Sequence, residues 1–151
     1  MITHLNNKNK PRMVDVNNKK NSTRTASAQG EVKFNKITFK KIEKMQSKKG
    51  EITNVAILAG VMASKKTSDL IPLCHNISIE KIDIDIKTNL KNESLIVVAN
   101  VKTFGKTGVE MEALTAVSIA CLTIYDMCKS LDKGILIQNI RLLSKTGGKT
   151  D

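Results

Sequence analysis

The chain has 151 residues, 40% of them hydrophobic, and carries 25 Lys plus Arg against 14 Asp plus Glu, a formal net charge of +11. That suits a single domain with a real core and excludes wholesale disorder, and the longest apolar run, the nine residues Val55 to Ala63, is far short of the ~20 that a membrane span requires. MITHLNNKNKPR has no apolar stretch of a secretory signal, and three cysteines (74, 121 and 128) do not make a disulfide framework, so a soluble, reduced, cytoplasmic domain is expected.

Residues 1–24 are polar, with one apolar patch at Met13-Val14-Asp15-Val16, and residues 1–12 are expected to be a flexible arm ahead of a single catalytic domain over 13–151. A mild alternation over Thr25–Phe34 predicts a strand. Ile37, Ile42 and Met45, with Phe39 and Lys on the other faces, predict a short amphipathic helix that Gly50 breaks; Val55, Ala56, Ala59, Met62 and Ala63 predict a second, over Ile52–Lys66. Pro72 enforces a turn. Beyond it Ile77 and Ile79, then Ile82, Ile84 and Ile86, alternate with polar residues, and the slip of phase at Glu80-Lys81 predicts a bulge. A turn at Lys91-Asn92 joins this strand to its antiparallel partner, Leu95–Phe104.

After Gly105 and Gly108 a long helix is predicted from about Glu110 to Asp132, with Leu114, Val117, Cys121, Ile124, Cys128 and Leu131 on one face and Gly134 as its C-cap. Ile119, Leu122 and Met127 leave it only a narrow wet stripe, more apolar surface than one small domain covers, which implies an oligomer. Ile135, Ile137 and Ile140 begin a last strand, followed by a Gly- and Lys-rich tail. The order is βαββαβ. It predicts an α+β, ferredoxin-like sandwich with an antiparallel sheet and its helices on one face; the uncovered face again points to self-association.

Charge is uneven: residues 1–50 carry +10 and residues 51–151 carry +1. This raises a nucleic-acid-binding oligomer as an alternative. Against it, 22 of the 25 basic residues are Lys, and there is no Trp for a stacking platform. Lysines gathered in a pocket suffice for a smaller polyanion such as a nucleoside triphosphate. Gly105-Lys106-Thr107 and Gly148-Lys149-Thr150 imitate a P-loop, but Asn100 and Leu143 stand where its first Gly is needed. The first stretch could still offer backbone N–H groups to an anion at a helix start, or be a simple turn.

Cys74-His75 follow Pro72, and with only one other His (His4) a closed zinc site is not expected. His75 suits a general acid/base or a phosphate donor, and equally a structural turn. Asp126, between Tyr125 and Met127 in the apolar helix, is either a carboxylate perturbed by burial and by Lys129, or half of an i,i+3 surface ion pair. Glu110 and Glu112 open the same helix, where acids favour its dipole. Glu112 and Asp126 lie ~21 Å apart along it. If both serve one substrate, different subunits supply them.

Met-Val-Asp-Val at 13–16 with Arg24, Lys65 with Asp-Leu-Ile-Pro-Leu-Cys-His at 69–75, Gly-Lys-Thr-Gly-Val-Glu-Met-Glu-Ala-Leu-Thr at 105–115, Leu-Thr-Ile-Tyr-Asp-Met-Cys-Lys at 122–129 and Arg-Leu-Leu-Ser-Lys-Thr-Gly-Gly-Lys at 141–149 together closely resemble the cyclic pyranopterin monophosphate synthase family of molybdenum-cofactor biosynthesis. The resemblance implies a lyase that rearranges 3′,8-cyclised dihydro-GTP into cyclic pyranopterin monophosphate with release of pyrophosphate. It also implies ferredoxin-like subunits in a homohexamer, a trimer of dimers with sites at subunit boundaries, and neither nucleic acid nor membrane as a partner. It assigns Asp126 as catalytic acid/base, Lys129 as its assistant, Leu73, Cys74 and His75 as one substrate-binding segment, and Met111 and Glu112 as another. Lys49, Lys65, Arg24 and Lys145 align with basic residues around the pocket, Lys49 among the catalytic ones. No cofactor or protein-bound metal is required, with room for Mg²⁺ carried on the substrate phosphates. Ser68, Asn76 and Ile57 stand where members often carry Trp, Pro and Arg, departures that bear on loop rigidity and assembly.

Overall fold

The computed structural model describes residues 1–148, so the Gly148-Lys149-Thr150 stretch runs out of the described residues. The elements are β1 (Ser22–Lys33), α1 (Lys36–Lys44), α2 (Gln46–Lys65), the single turn α3 (Thr67–Leu70), β2 (Lys81–Asn89), β3 (Ser94–Gly105), α4 (Glu110–Cys128) and β4 (Leu136–Thr146). The strands form one sheet in the order β2-β3-β1-β4, every neighbouring pair antiparallel. This is the expected ferredoxin-like α+β arrangement: each outer strand is reached through a helical crossover, and α2 and α4 lie on one face of the sheet.

Period-two patterning sets that face. Ala26, Ala28 and Val32 of β1 and Leu95, Val97, Ala99 and Val101 of β3 are buried against Ala113, Ala116, Val117, Ala120, Cys121 and Ile124 of α4. Cys121 and Cys128 are fully buried free thiols, used as small core residues. Alanines let α4 approach the sheet, and Gly60 lets α2 approach α4: a Cβ there would lie 2.9 Å from the Ala116 carbonyl oxygen and 2.6 Å from Ile84 Cδ1. α4 is, by length and composition, apolar enough to cross a bilayer, but half of it is buried as the central core helix.

Several boundaries move. The helix break falls at Met45 (φ −94°, ψ 61°), not at Gly50, which sits inside α2. A glycine costs a helix ~1 kcal/mol and does not end one whose other positions pack. In α1 the buried face is Thr38, Phe39 and Ile42, whereas Ile37 is exposed. The slip of phase at Glu80-Lys81 is a strand boundary rather than a bulge: β2 begins at Lys81, and Ile77 and Ile79 precede it in irregular chain that packs on the core. α4 ends at Cys128, a turn early, and Gly134 is not its C-cap. Its C-cap is Lys129, and Asp132 beyond it turns inward to accept hydrogen bonds from Asn35 N (3.1 Å) and Gly134 N (2.7 Å).

The bulges lie in the β1–β4 ladder, between Ser27 and Ala28 and between Gln29 and Glu31. β4 also extends to Thr146, through what reads as a tail, because those residues pair with β1. Glu31, 3% exposed, joins three strands at this irregular register. Its carboxylate accepts from Asn92 Nδ2 (2.9 Å), Ser94 Oγ (2.6 Å), Gln138 Nε2 (2.9 Å) and Asn139 Nδ2 (2.8 Å), and Asn139 has the left-handed φ of 55°. Apolar surface remains open on the single chain: Val55, Leu58 and Met62 on α2, Leu122 and Met127 on α4, and Leu136, Leu142 and Leu143 on edge strand β4.

Candidate active site

Four chain segments converge where α4 begins. The α3–β2 connection brings Leu73, Cys74 and His75; the β3–α4 loop brings Thr107 and Gly108; the first turn of α4 brings Glu110 and Met111; and the paired ends of β1 and β4 bring Arg24 and Lys145. They line a pocket of about 200 Å³, to which the N-terminal segment adds His4 and Lys19.

Arg24 points to the helix side of the sheet and is 9% exposed, with its Nε donating to the Gly105 carbonyl (2.9 Å). The chain turns around it at Gly147 (φ 103°) and Gly148 (φ 78°). A Cβ on Gly147 would strike the Thr23 carbonyl at 2.4 Å and Arg24 Cα at 2.9 Å, so this close wrap requires glycine. The Gly-rich segment at the end of the sequence is thus a cradle for a guanidinium. Lys145 faces Glu110 across the pocket, Nζ to Oε1, at 3.8 Å.

Acids back this basic wall. Glu112 is 2% exposed; Cys74 Sγ donates to its Oε2 at 3.8 Å, while Oε1 has no hydrogen-bond partner among the described residues, nor does Glu110 Oε2. Burial, and then the charge of Glu110, raise the Glu112 carboxyl above the usual carboxylate range, favouring its protonated form. Burial, reinforced by Glu112, pushes the Cys74 thiol up to about 11, so it is a thiol at neutral pH. His75 Nε2 donates to the Val14 carbonyl, tying the Met13–Val16 patch to the pocket rim. The arrangement offers a cationic lining for an anion, with a buried acid and an imidazole beside it for proton transfer. Among the described residues no three His, Cys, Asp or Glu side chains gather as metal ligands.

Of the residues singled out from the sequence, Arg24, Leu73, Cys74, His75, Met111 and Lys145 come together here, with Glu112 directly behind Cys74. Four others lie elsewhere on the chain. Lys49, in the first turn of α2, pairs with Glu43 (3.0 Å) and reaches Thr88 Oγ1 (3.4 Å). Lys65 is exposed in the last turn of α2. Asp126 and Lys129 lie at the far end of α4, with Leu122, Thr123 and Tyr125 around a shallow depression.

Of the two readings of Asp126, the single chain shows the surface ion pair and not the buried acid. Its side chain is 69% exposed and Lys129 Nζ lies 2.8 Å from its Oδ1 in an i,i+3 pair, because these positions are on the stripe of α4 that faces away from the sheet. That hydrogen bond and charge raise the Lys129 ammonium above its ordinary value. Sequence reasoning missed His4 and Lys19, which carry no motif, and took Glu110 only for a dipole partner. Gly108 was its available signal, since a Cβ there would lie 2.1 Å from Glu110 Oε2.

Comparison with known proteins gives the same family from two directions. The family model described as the MoaC family matches residues 13–148. Curated relatives named cyclic pyranopterin monophosphate synthase include those of Peptoclostridium acidaminophilum and Parvibaculum lavamentivorans, each 52% identical over 99% of this chain and 94% and 93% of theirs. The protein of that name from Helicobacter hepaticus is 50% identical over 99% of this chain and 94% of its own.

Proposed function

The chain belongs to the MoaC family, and we propose that it converts 3′,8-cyclised dihydro-GTP into cyclic pyranopterin monophosphate with release of pyrophosphate, in molybdenum-cofactor biosynthesis. The observation that carries this reading is relatives named for that synthase at half identity over 99% of the chain. The reaction is that of a phosphorus–oxygen lyase. A substrate hydroxyl attacks the α-phosphorus, the phosphoanhydride bond breaks, and pyrophosphate leaves with its charge stabilised. Arg24 and Lys145 are placed to hold those phosphates. Opening the purine-derived ring needs protons moved, for which His75 and the raised Glu112 carboxyl are suited. Residues 13–151 act as one catalytic domain.

Asp126 and Lys129 complete the machinery from another subunit in this reading, with Lys49 and Lys65 adding positive charge. Two features support it. The described chain separates these residues from the pocket, and it leaves apolar rows on α2, α4 and β4 open to a partner. The assembly we infer is a homohexamer, a trimer of dimers. It works in the cytoplasm, consistent with three free cysteines, without nucleic acid or membrane. No resident cofactor is needed; Mg²⁺ would arrive on the substrate phosphates.

The test is incubation with the cyclised GTP derivative. One pyrophosphate per cyclic phosphate formed supports the reading, and failure to form either with folded oligomer refutes it. Tight, steeply salt-dependent binding of unrelated oligonucleotides without turnover would favour the nucleic-acid alternative.

A further inference from the structure

Residues 3–12 fold back on themselves. Leu5 bridges Pro11, Arg12 N donates to the His4 carbonyl (2.8 Å) and Arg12 Nε to the Thr3 carbonyl (3.0 Å). Asn6 Oδ1 accepts from Lys8 N (2.9 Å) and Lys10 N (3.0 Å), and Asn9 takes the left-handed φ of 58° that closes the turn. The following residues reach β1 without helix or strand, pinned by the His75–Val14 hydrogen bond and by Lys106 Nζ donating to the Asn17 carbonyl (3.5 Å). The result is a folded loop on a tether, seated at the mouth of the pocket, where His4 and Lys19 join Arg24, His75 and Lys145 in the lining.

His4 is oriented for an anion. Its Nδ1–H donates to the Arg12 carbonyl (3.4 Å), which leaves Nε2 to meet a ligand. Lys19 supplies a second cation from the same tether. A segment closed by its own hydrogen bonds, which brings an imidazole and an ammonium to a pocket already holding Arg24 and Lys145, suits a ligand with more negative charge than one phosphate.

We propose that residues 1–20 are a strap over the substrate pocket, in which His4 and Lys19 bind the two terminal phosphates of the substrate, the pyrophosphate that leaves. This rests on the reading above for the ligand's identity but not for the presence of an anion site. The strap must lift for pyrophosphate to depart, and breaking the His75–Val14 tie is the motion that lifts it.

The probe is inorganic pyrophosphate, titrated calorimetrically into the full-length protein and into His4→Ala, His4→Gln and Lys19→Ala. His4 and Lys19 are exposed in the single chain, where a charge-assisted hydrogen bond is worth roughly a five- to tenfold change in affinity. His4→Ala and Lys19→Ala should each weaken pyrophosphate by that factor with unchanged melting temperature. Saturating pyrophosphate should also slow tryptic cleavage after Arg12 in the wild type but not in His4→Ala. Wild-type affinity and wild-type protection in both Ala variants would overturn the strap. With the cyclised GTP derivative, His4→Ala should raise KM more than it lowers kcat. If pyrophosphate binding depends on His4 while the wild type turns over no cyclised GTP, the strap stands and the assigned reaction falls. If the wild type is active and His4→Ala matches it in Kd, KM and kcat, the reaction stands and the strap falls.

Discussion

Replacing Glu31 by Gln tests whether one buried carboxylate fixes the β1–β4 register. Burial opposes its charge, but hydrogen bonds from Ser94, Asn92, Gln138 and Asn139 outweigh that cost and lower its pKa from 4.5 to about 2. A displacement of that size corresponds to about 3 kcal/mol of folding stability. The folded pKa is the lower one, so the contribution is complete above pH 4.5 and is lost as pH falls through about 2. Glutamine keeps one acceptor oxygen but turns an amide donor toward two of the four donors, leaving them unsatisfied. The expected loss at pH 7 is about 3 kcal/mol, a fall in melting temperature of roughly 6–12 °C for a chain of this size. The assay is thermal unfolding of wild type and variant at equal protein concentration, at pH 7 and at pH 3. By pH 3 the gap should shrink to about half or less, since the native carboxylate is then losing its advantage. An equal gap at both pH values, or no gap at all, would refute the reasoning.

Further outcomes follow from other contacts. Gly60→Ala should destabilise by about 1–2 kcal/mol in chemical unfolding despite its helix preference, because the new Cβ meets the Ala116 carbonyl at 2.9 Å; a stabilised variant would show that α2 shifts freely. Cys74, pushed up to about 11, should alkylate at pH 8 about 100-fold more slowly than a free thiol, and Glu112→Gln should speed it; mass spectrometry of the modified peptide reads both. Asp126→Asn should retain pyrophosphate affinity yet lose at least ~100-fold in kcat, and ordinary turnover would remove Asp126 from the chemistry.

What the sequence revealed followed from periodicity. Alternation in β2 and β3 and the long apolar face of α4 were enough for the βαββαβ order, because each reflects burial on one side of one sheet. Where two local rules compete, the reading slipped. Gly50 looked like a breaker, yet it lies in a helix held by packing at Ala56 and Ala63, and the second half of β4 hid among Gly and Lys because an exposed edge strand needs no alternation. The site was legible in part. Cys74, His75 and Met111 sit in compact segments, but the wrap of Gly147 around Arg24 depends on residues 123 positions apart, and the approach of His4 on a strap with no motif. The exposure of Asp126 is likewise a property of one chain alone, decided by what packs on α4 rather than by its own neighbours in sequence.

The division of one active centre between the two ends of α4 in different subunits is tested most directly by mixing inactive chains. Glu112→Ala and Asp126→Ala proteins, each inactive alone, are unfolded together, refolded and verified by mass as mixed oligomers. Restored pyrophosphate release, rising with the fraction of mixed interfaces, is the predicted result; verified mixed oligomers that stay as inactive as their parents would contradict it.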